Sequence, residues 1–374
     1  LAEELKTPGA RKDLSFAIYQ LATVMRDTDG PKAAKPLFVK YEQLMRALAE
    51  ELKTPGAWKD LANANYYLAT VMRDTNGPEA AKPLFVKYEQ LVRALAEELK
   101  TPSARMELAK ANFHLATVTQ EAEGAEEAEH LFIKSRKLAK AVVSQLKNPF
   151  SLYQFNLLEF FTCQNRQRLM QNNHVLFDSV VLNPKTAEQE LDALLIIEKK
   201  IDKYAELKQL SRFEVVNVVR IKNVIAACYI ATEKTDFAKD KLNQLSKYIE
   251  RLSQFNTHSA KEQLILASFY EAQVAITTHD FTAADVSFKS ARKLVNKMLP
   301  DFWDVPYYHS LICWYYSNFL YEKGKYEAAM KEIGLGLAAA QQFTKYNVRN
   351  GKDILAVFTE TQRNWLATAK KNSL

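Results

Sequence analysis

Side chains that could do chemistry are present in this chain, but their spacing matches no catalytic or metal-binding motif. Zinc and similar metals require clustered histidine, cysteine or carboxylate ligands. The six histidines stand at positions 114, 130, 174, 258, 279 and 309 and share no predicted helix face. Cys163, Cys228 and Cys313 are far apart, and the chain has no Cys-x-x-Cys pair. We therefore predict no metal site and no cofactor.

The carboxylates and glycines lead to the same conclusion. Five glutamates cluster between Glu121 and Glu129, across a predicted turn and helix start, where acidic side chains favour the helix dipole. Gly334-Leu-Gly336 lacks the preceding strand and the lysine of a phosphate-binding loop, so these glycines are predicted to allow close helix packing. The chain has no Gly-x-Ser-x-Gly elbow and no cysteine with an evident activating base. It is predicted not to be an enzyme.

The dominant feature of the sequence is instead a 47-residue segment that occurs three times, beginning at Leu1, Leu48 and Leu95. The first two copies differ at only eight positions. Five of these differences fall in one short stretch, at Arg11/Trp58, Ser15/Ala62, Phe16/Asn63, Ile18/Asn65 and Gln20/Tyr67. A period of this size is typical of stacked helical solenoids, in which one unit cannot bury its apolar face alone.

Each copy is predicted to form two antiparallel helices, A and B. In the second copy, apolar residues recur at helical spacing on both sides of Asp74-Thr-Asn-Gly-Pro78, which supplies a helix stop and a proline suited to a first helical turn. Pro83 lies five residues further on, and an internal proline costs a helix about 3 kcal/mol. We expect helix B either to begin after Pro78 or to have a kinked first turn.

The third copy resembles the tetratricopeptide repeat, through Leu115-Ala116 in helix A and Gly124, Ala128, Phe132 and Ser135 in helix B. The first two copies match through Leu21-Ala22, Ala34, Phe38 and Leu68-Ala69, Ala81, Phe85, but place Tyr41 and Tyr88 where the family has a small residue. The longer period is similar to that of long-helix relatives in bacterial signalling proteins and kinesin light chains. The resemblance implies an all-α, right-handed superhelical solenoid of antiparallel helix pairs with a C-terminal capping helix.

Four regions are predicted. Residues 1–149 form three near-regular pairs, and residues 150–212 form a divergent pair joined by a long loop, or a hinge between two solenoid segments. Residues 213–346 form three further pairs, with helices expected at 213–235 and 237–255, 259–279 and 281–299, and before and after Gly324. Residues 347–374 provide the capping helix. Leu1 to Thr7 have the same sequence as Leu95 to Thr101, which are predicted to end a helix B. We therefore expect the array to begin before Leu1.

The tetratricopeptide resemblance implies that side chains of helix A line a concave surface and bind the partner. The positions transferred in this way, as candidate partner-binding residues, are Tyr19, Arg26, Asn63, Tyr66, Tyr67, Arg73, Lys110, His114, Trp314, Tyr315 and Asn318. The Lys and Asn combination with which some family members clamp a C-terminal carboxylate is missing, so an adaptor for chaperone tails is not favoured. Ten of the 25 residues from Phe302 to Tyr326 are aromatic, which indicates either packing against the capping helix or a groove lining.

Composition limits the class of partner. The net charge is +7, and most of this excess lies after the nearly neutral repeats without forming a dense basic run, which argues against nucleic acid as the ligand. No apolar stretch reaches the roughly 18 residues of a membrane span. The odd number of isolated cysteines favours a reducing, cytoplasmic compartment.

The function predicted from these observations is a non-enzymatic scaffold or adaptor that binds a protein or peptide in the solenoid groove. Two alternatives stay open. The chain could be a sensor or regulatory domain of a larger signalling protein whose ATPase or protease lies elsewhere, or a receptor for a signalling peptide. The sequence indicates neither the partner nor the oligomeric state.

Overall fold

The computed structural model describes residues 7–146, 148–170, 182, 184–206 and 209–372, and over these residues it is helical without any strand. The chain divides into two compact bodies, residues 1–169 and residues 170–374. Each body is built of consecutive helices, most of which pack on their neighbours in the chain, in agreement with the predicted all-α solenoid class. The predicted loop around Gln171 to Asn183 falls, apart from Leu182, outside the described residues.

The described residues of the N-terminal body form seven helices. They are α1 Pro8–Thr28, α2 Pro31–Leu52, α3 Pro55–Asn76, α4 Pro78–Leu99, α5 Pro102–Ala122, α6 Ala125–Leu146 and α7 Pro149–Met170. In the three repeats, α1, α3 and α5 are helix A, and α2, α4 and α6 are helix B. Successive helices from α1 to α6 pack on one another, so each helix B lies between its own helix A and the next one.

The same residues begin the A helices of all three repeats. The hydroxyls of Thr7, Thr54 and Thr101 accept hydrogen bonds from backbone N–H groups three residues later, at 3.2, 3.3 and 3.2 Å. A proline follows each threonine at the first helical position, where its missing N–H would have no helical partner. These local signals set the repeat boundaries before any packing occurs.

In the first two repeats, helix B begins at the proline that follows a glycine. Gly30 and Gly77 adopt φ values of 97° and 87°, a left-handed region that other residues rarely enter, and Pro31 and Pro78 start α2 and α4. Both helices continue past the internal prolines Pro36 and Pro83. Of the two alternatives expected for helix B, a start after Pro78 is therefore wrong, because α4 begins at Pro78 and contains Pro83 within its second turn.

The core of the N-terminal body is a series of similar clusters between neighbouring helices. Between α2 and α3, Phe38 of helix B packs with Leu68 and Val71 of the next helix A. Between α4 and α5, Phe85 packs with Leu108 and Val118. Phe38 and Phe85 are only 1% and 2% exposed, so the next repeat contributes to burying the core of each repeat together with the repeat's own helix A.

The C-terminal body contains nine helices in its described residues. They are α8 Pro184–Glu206, α9 Arg212–Ala231, α10 Thr235–Asn243, α11 Ser246–Ser253, α12 His258–Thr277, α13 Phe281–Val295, α14 Val305–Glu322, α15 Tyr326–Phe343 and α16 Val348–Asn372. The helix expected at 237–255 is divided into α10 and α11. Leu245 lies at the division and is fully buried, and its N–H bonds to the carbonyl of Leu242 in a tighter turn.

The last helix, α16, packs on α15 and fills the end of the array. The ring of Trp314 meets Phe358 edge-to-face at 5.2 Å, and Tyr321 stacks on Trp365 at 4.3 Å. Trp303 and Tyr307 instead contact Phe343 of α15. Much of the aromatic density between residues 302 and 326 is thus used for packing at the end of the array.

Candidate partner-binding surface

A row of aromatic rings crosses the A helices of the N-terminal body. Tyr19 of α1 lies 4.6 Å from Tyr67 of α3, and Tyr66 lies 4.7 Å from His114 of α5. Within each helix the neighbouring rings also touch, at 5.3 Å between Tyr66 and Tyr67 and 5.2 Å between Phe113 and His114. The structure therefore brings together four of the predicted site residues, Tyr19, Tyr66, Tyr67 and His114, as half-buried members of one row.

The row is held from beneath by helix B. Tyr66 packs against Phe85 and Tyr88 of α4, and Tyr19 packs against Phe38 and Tyr41 of α2. Burial raises the pKa of Tyr66 and Tyr67, so both phenols are neutral at physiological pH. These rings are positioned by the core, and only their outer edges are available to a ligand.

Beside the row runs a ladder of charged side chains. Arg26 Nε lies 3.5 Å from Asp74 Oδ2, and Arg73 lies 3.6 Å from Asp74 and 3.9 Å from Glu121. Each arginine therefore reaches the acidic residue of the next helix A. The two predicted arginines share this network, in which Asp74 and Glu121 offset their charge.

This environment strongly changes the titration of His114. Burial, together with the positive charges of Arg73 and Lys110, lowers the pKa of His114 to about 3. Its imidazole is consequently neutral throughout the physiological range. It acts as an aromatic ring between Tyr66 and Phe113 rather than as a cation or a proton donor to solvent.

Acid should destabilise the protein through His114. Because the unfolded histidine titrates near pH 6.5 and the folded one near 3, the unfolded state binds more protons between these values. Stability is fully present above about pH 6.5 and falls as the pH drops, by about 2 kcal/mol at pH 5. Urea unfolding of the native chain and of His114→Tyr, measured at pH 7.5 and pH 5, tests this expectation.

Tyrosine is the matched replacement because Tyr67 occupies the equivalent position in the second repeat. The other titrating groups stay the same in both proteins, so the difference between the two pH dependences isolates residue 114. The assignment fails if the variant loses as much stability between pH 7.5 and pH 5 as the native chain does.

The outermost positions of these helices are occupied by Phe16, Asn63 and Lys110, one per repeat. Phe16 is 61% exposed and Asn63 is also exposed, whereas Lys110 is half-buried and pairs with Glu107 at 2.9 Å. Phe16 lies 6.3 Å from Tyr19, which connects the exposed position to the aromatic row. We use the name helix A surface for Phe16, Tyr19, Gln20, Asn63, Tyr66, Tyr67, Lys110, Phe113 and His114.

The remaining predicted residues lie in α14 of the C-terminal body. Trp314 packs on Phe358, and Tyr315 meets Phe269 of α12 edge-to-face at 4.9 Å. The Asn318 side chain donates a hydrogen bond of 2.8 Å to the carbonyl of Trp314. Trp314 and Tyr315 are half-buried and contact neighbouring helices, and Asn318 is committed to its own helix.

Sequence reasoning missed three kinds of residue around the helix A surface. The acidic residues Asp74 and Glu121 directly follow Arg73 and Gln120. An acidic residue at this position of each repeat was the sequence signal that could have identified them. Phe161 of α7 extends the aromatic row at 4.7 Å from Phe113. Asn165 of the same helix accepts a hydrogen bond from Gln120. The phenylalanines of α7 were visible in the sequence, but their register to the repeats was not.

Other chemistry is limited in the part of the chain that the structure describes. It contains no group of three or more His, Cys, Asp or Glu side chains that could hold a metal ion. The three cysteines are free thiols and are buried. Burial, with the nearby carboxylate of Glu332, raises the pKa of the Cys313 thiol to about 12, which keeps it protonated and unreactive. None of the described helices combines the length and apolarity that a bilayer crossing requires.

Comparison with known proteins gives structural likeness only. No protein-family model and no curated protein matches the chain. Among solved structures, the hypoxic regulator of sterol synthesis Nro1, a nuclear import adaptor, is 12% identical, with 80% of this chain and 93% of that chain covered and a TM-score of 0.37. An IFIT1 monomeric mutant with Gppp-AAAA is 14% identical over 98% of this chain and 81% of that one, with a TM-score of 0.35.

Yeast Tom70 is 9% identical, with 94% of this chain and 97% of that chain covered and a TM-score of 0.26. IFIT1 and Tom70 are helical-repeat proteins of the tetratricopeptide type. At these identities and TM-scores, the ligands and roles named for those proteins are not transferred to this chain.

Proposed function

We propose that this chain is a non-enzymatic scaffold that binds a protein or peptide segment across the helix A surface. In this proposal the surface forms the concave side of a right-handed superhelix, and the ligand lies across α1, α3 and α5. The observation that carries the proposal is the row of aromatic rings from Tyr19 to His114, which continues from helix to helix and has exposed side chains at its edge. Preformed rings provide a large contact area and lose little conformational entropy on binding.

The differences between the two near-identical repeats support this assignment. Gln20 is exposed, its counterpart Tyr67 is half-buried in the row, and Phe16 and Asn63 are both exposed. Ser15 and Ala62, and likewise Ile18 and Asn65, are buried, so those differences affect packing instead. Two of the five clustered changes therefore alter the helix A surface, and α2 and α4 differ at only two positions, Lys32/Glu79 and Met45/Val92.

The arginines have a supporting part in this proposal. Arg26 and Arg73 are paired with acidic residues of the array, so an anionic ligand would have to compete with Asp74 and Glu121. We expect ligand recognition to depend on apolar and aromatic contacts, and the arginine ladder to hold neighbouring A helices in register. The exposed positions are consequently the informative ones to change.

Peptides selected from a displayed random library on the full chain provide the test. The affinity of each selected peptide should fall about tenfold or more in a double variant Phe16→Ser, Asn63→Glu, since truncation of an interface anchor commonly costs more than 1 kcal/mol. Both side chains are exposed, so circular dichroism and thermal midpoint should stay close to the native values.

The matched control is Lys87→Glu, Lys137→Glu, which alters exposed positions on the B helices α4 and α6. This variant should bind the selected peptides as the native chain does. Equal binding by both double variants, or weakening by the helix B variant alone, would show that the ligand is bound elsewhere.

A further inference from the structure

The outer face of α1 carries an apolar stripe that the later repeats bury. Ala17, Leu21 and Val24 are exposed, Leu21 by 53% and Val24 by 58%. The equivalent residues of α3, Ala64, Leu68 and Val71, are 0%, 8% and 0% exposed. In α5, Ala111 and Val118 are both fully buried. The residue types are the same in all three helices, so the difference comes from what covers them.

In the second and third repeats the cover is helix B of the repeat before. Ala34 and Phe38 of α2 pack with Leu68 and Val71 of α3, and Tyr41 and Met45 pack around Ala64. The residues Ala81, Phe85, Tyr88 and Val92 of α4 form the same cover on α5. The sequences of the covering helices α2 and α4 are nearly identical, and both contain Ala-Ala-Lys-Pro-Leu-Phe-Val-Lys-Tyr.

A polar contact accompanies each of these apolar interfaces. Lys35 Nζ of α2 lies 2.9 Å from Asn76 Oδ1 at the end of α3, and Lys82 of α4 pairs with Glu123 after α5. The equivalent position at the end of α1 is Asp29, which is exposed. A carboxylate here is complementary to the same lysine of helix B.

We propose that the α1 face, defined by Ala17, Leu21, Val24 and Asp29, is a docking site for helix B of a further 47-residue unit of this repeat. The proposal continues an interface that occurs twice in the structure, between α2 and α3 and between α4 and α5. The occupant is an amphipathic helix with alanine and phenylalanine four residues apart, then tyrosine, and a lysine that meets Asp29. This inference is independent of the proposed ligand site, since it concerns a different face of α1.

Helix B of a second intact copy does not fit this role. The apolar faces of α2 and α4 are already buried between their flanking A helices, with Phe38 and Phe85 almost without exposure. The α1 face of a second copy lacks the phenylalanine and the lysine of helix B and would not reproduce the interface. The occupant is thus a unit whose helix B is free to pack.

The experiment adds such a helix to the full chain and measures the accessibility of α1. Residues 31–47 are placed ahead of Leu1, which restores the complete helix B text because Leu1 to Thr7 repeat Leu48 to Thr54. Val24→Cys is then alkylated in the native-length and the extended chain. The three native thiols are buried, so the introduced cysteine dominates the reaction.

Alkylation of Val24→Cys should be about tenfold slower in the extended chain. A linked helix has a millimolar effective concentration, so with a dissociation constant of about 100 μM it covers the α1 face most of the time. Phe16→Cys is the matched control on the same helix, because Asn63 stays exposed in α3 even with α2 in place. Its alkylation rate should be unchanged by the extension.

Equal alkylation of Val24→Cys in both chains would overturn the proposal, as would equal slowing at position 16. Concentration-dependent protection of Val24→Cys in the native-length chain, abolished by Leu21→Glu, would assign the face to a second copy and would also overturn it. None of these results depends on the peptide-binding test, so failure of one proposal leaves the other standing.

Discussion

Gly336→Ala is expected to destabilise the C-terminal body by about 3 kcal/mol, at the upper end of the usual cost of overpacking a core. A β-carbon at position 336 would lie 2.6 Å from Cζ of Phe358 and 2.9 Å from Cβ of Cys313. Phe358 is fully buried and Cys313 belongs to α14, so neither group can move without separating helices. Urea unfolding followed by circular dichroism measures the change.

Gly334→Ala supplies a control on the same helix, with the opposite expected sign. A β-carbon at position 334 meets no atom within 4 Å. Alanine has a higher helix propensity than glycine, and the variant should be stabilised by about 1 kcal/mol. Similar effects at the two positions would mean that α15 does not approach α14 and α16 as closely as the structure shows.

Lys222→Met is expected to cost about 3 kcal/mol, because it removes one of the two ammonium groups that pair with the buried carboxylate of Glu198. The Lys222 ammonium lies 2.7 Å from Glu198 and 2.9 Å from Asp202, and the lysine is 2% exposed. Burial alone would lower the pKa of Lys222, but the hydrogen bonds and charges of Glu198 and Asp202 raise it above the usual value. The ammonium is therefore charged in the folded protein and holds α9 against α8.

Removing the charge on both sides should restore part of the loss. In Lys222→Met, Glu198→Gln, a neutral amide replaces the buried carboxylate that lost one of its two cations, so unfolding by urea should require more denaturant than in the single variant. Lys241, which lies 2.8 Å from Glu198, limits the recovery because it loses its own partner.

Arg220→Met is the matched control, since Arg220 lies two residues away on the same helix and is half-buried. Its guanidinium is 3.4 Å from Glu262, an ion pair in which both side chains are partly exposed to solvent. Such pairs contribute at most about 1 kcal/mol. If Arg220→Met is as destabilising as Lys222→Met, burial of the lysine network is not the source of the larger effect.

Most of the fold in the N-terminal body could be predicted because its signals are local. Thr54 and Pro55 start a helix through their own hydroxyl and ring, and Gly77 and Pro78 start the next by their backbone preferences. Errors occurred where packing overrides a local preference. Pro83 stays inside α4, and the helix expected at 237–255 is divided at Leu245, whose side chain is buried and whose N–H bonds to the carbonyl of Leu242.

The sequence predicted which residues lie on the helix A surface better than it predicted the contacts between helices. Tyr19, Tyr66, Tyr67 and His114 were selected by position in helix A, and they do form one row. The partners of Arg26 and Arg73 were not predicted, because an ion pair between neighbouring A helices depends on the distance and rotation between helices. Similarly, only Gly336 of the two predicted packing glycines faces another helix.

The sequence alone determined the repeat length, the helix boundaries near Thr, Pro and Gly, and which residues of each helix are apolar, since these depend on interactions within a few residues. Only the tertiary structure decided which apolar faces are covered. Val24 and Val71 lie in the same local sequence, yet Val24 is 58% exposed and Val71 is buried. The reason is that α2 packs on α3, whereas no described helix packs on that face of α1. Whether a residue is buried depends on the neighbouring helix, and the sequence of one repeat does not include that helix.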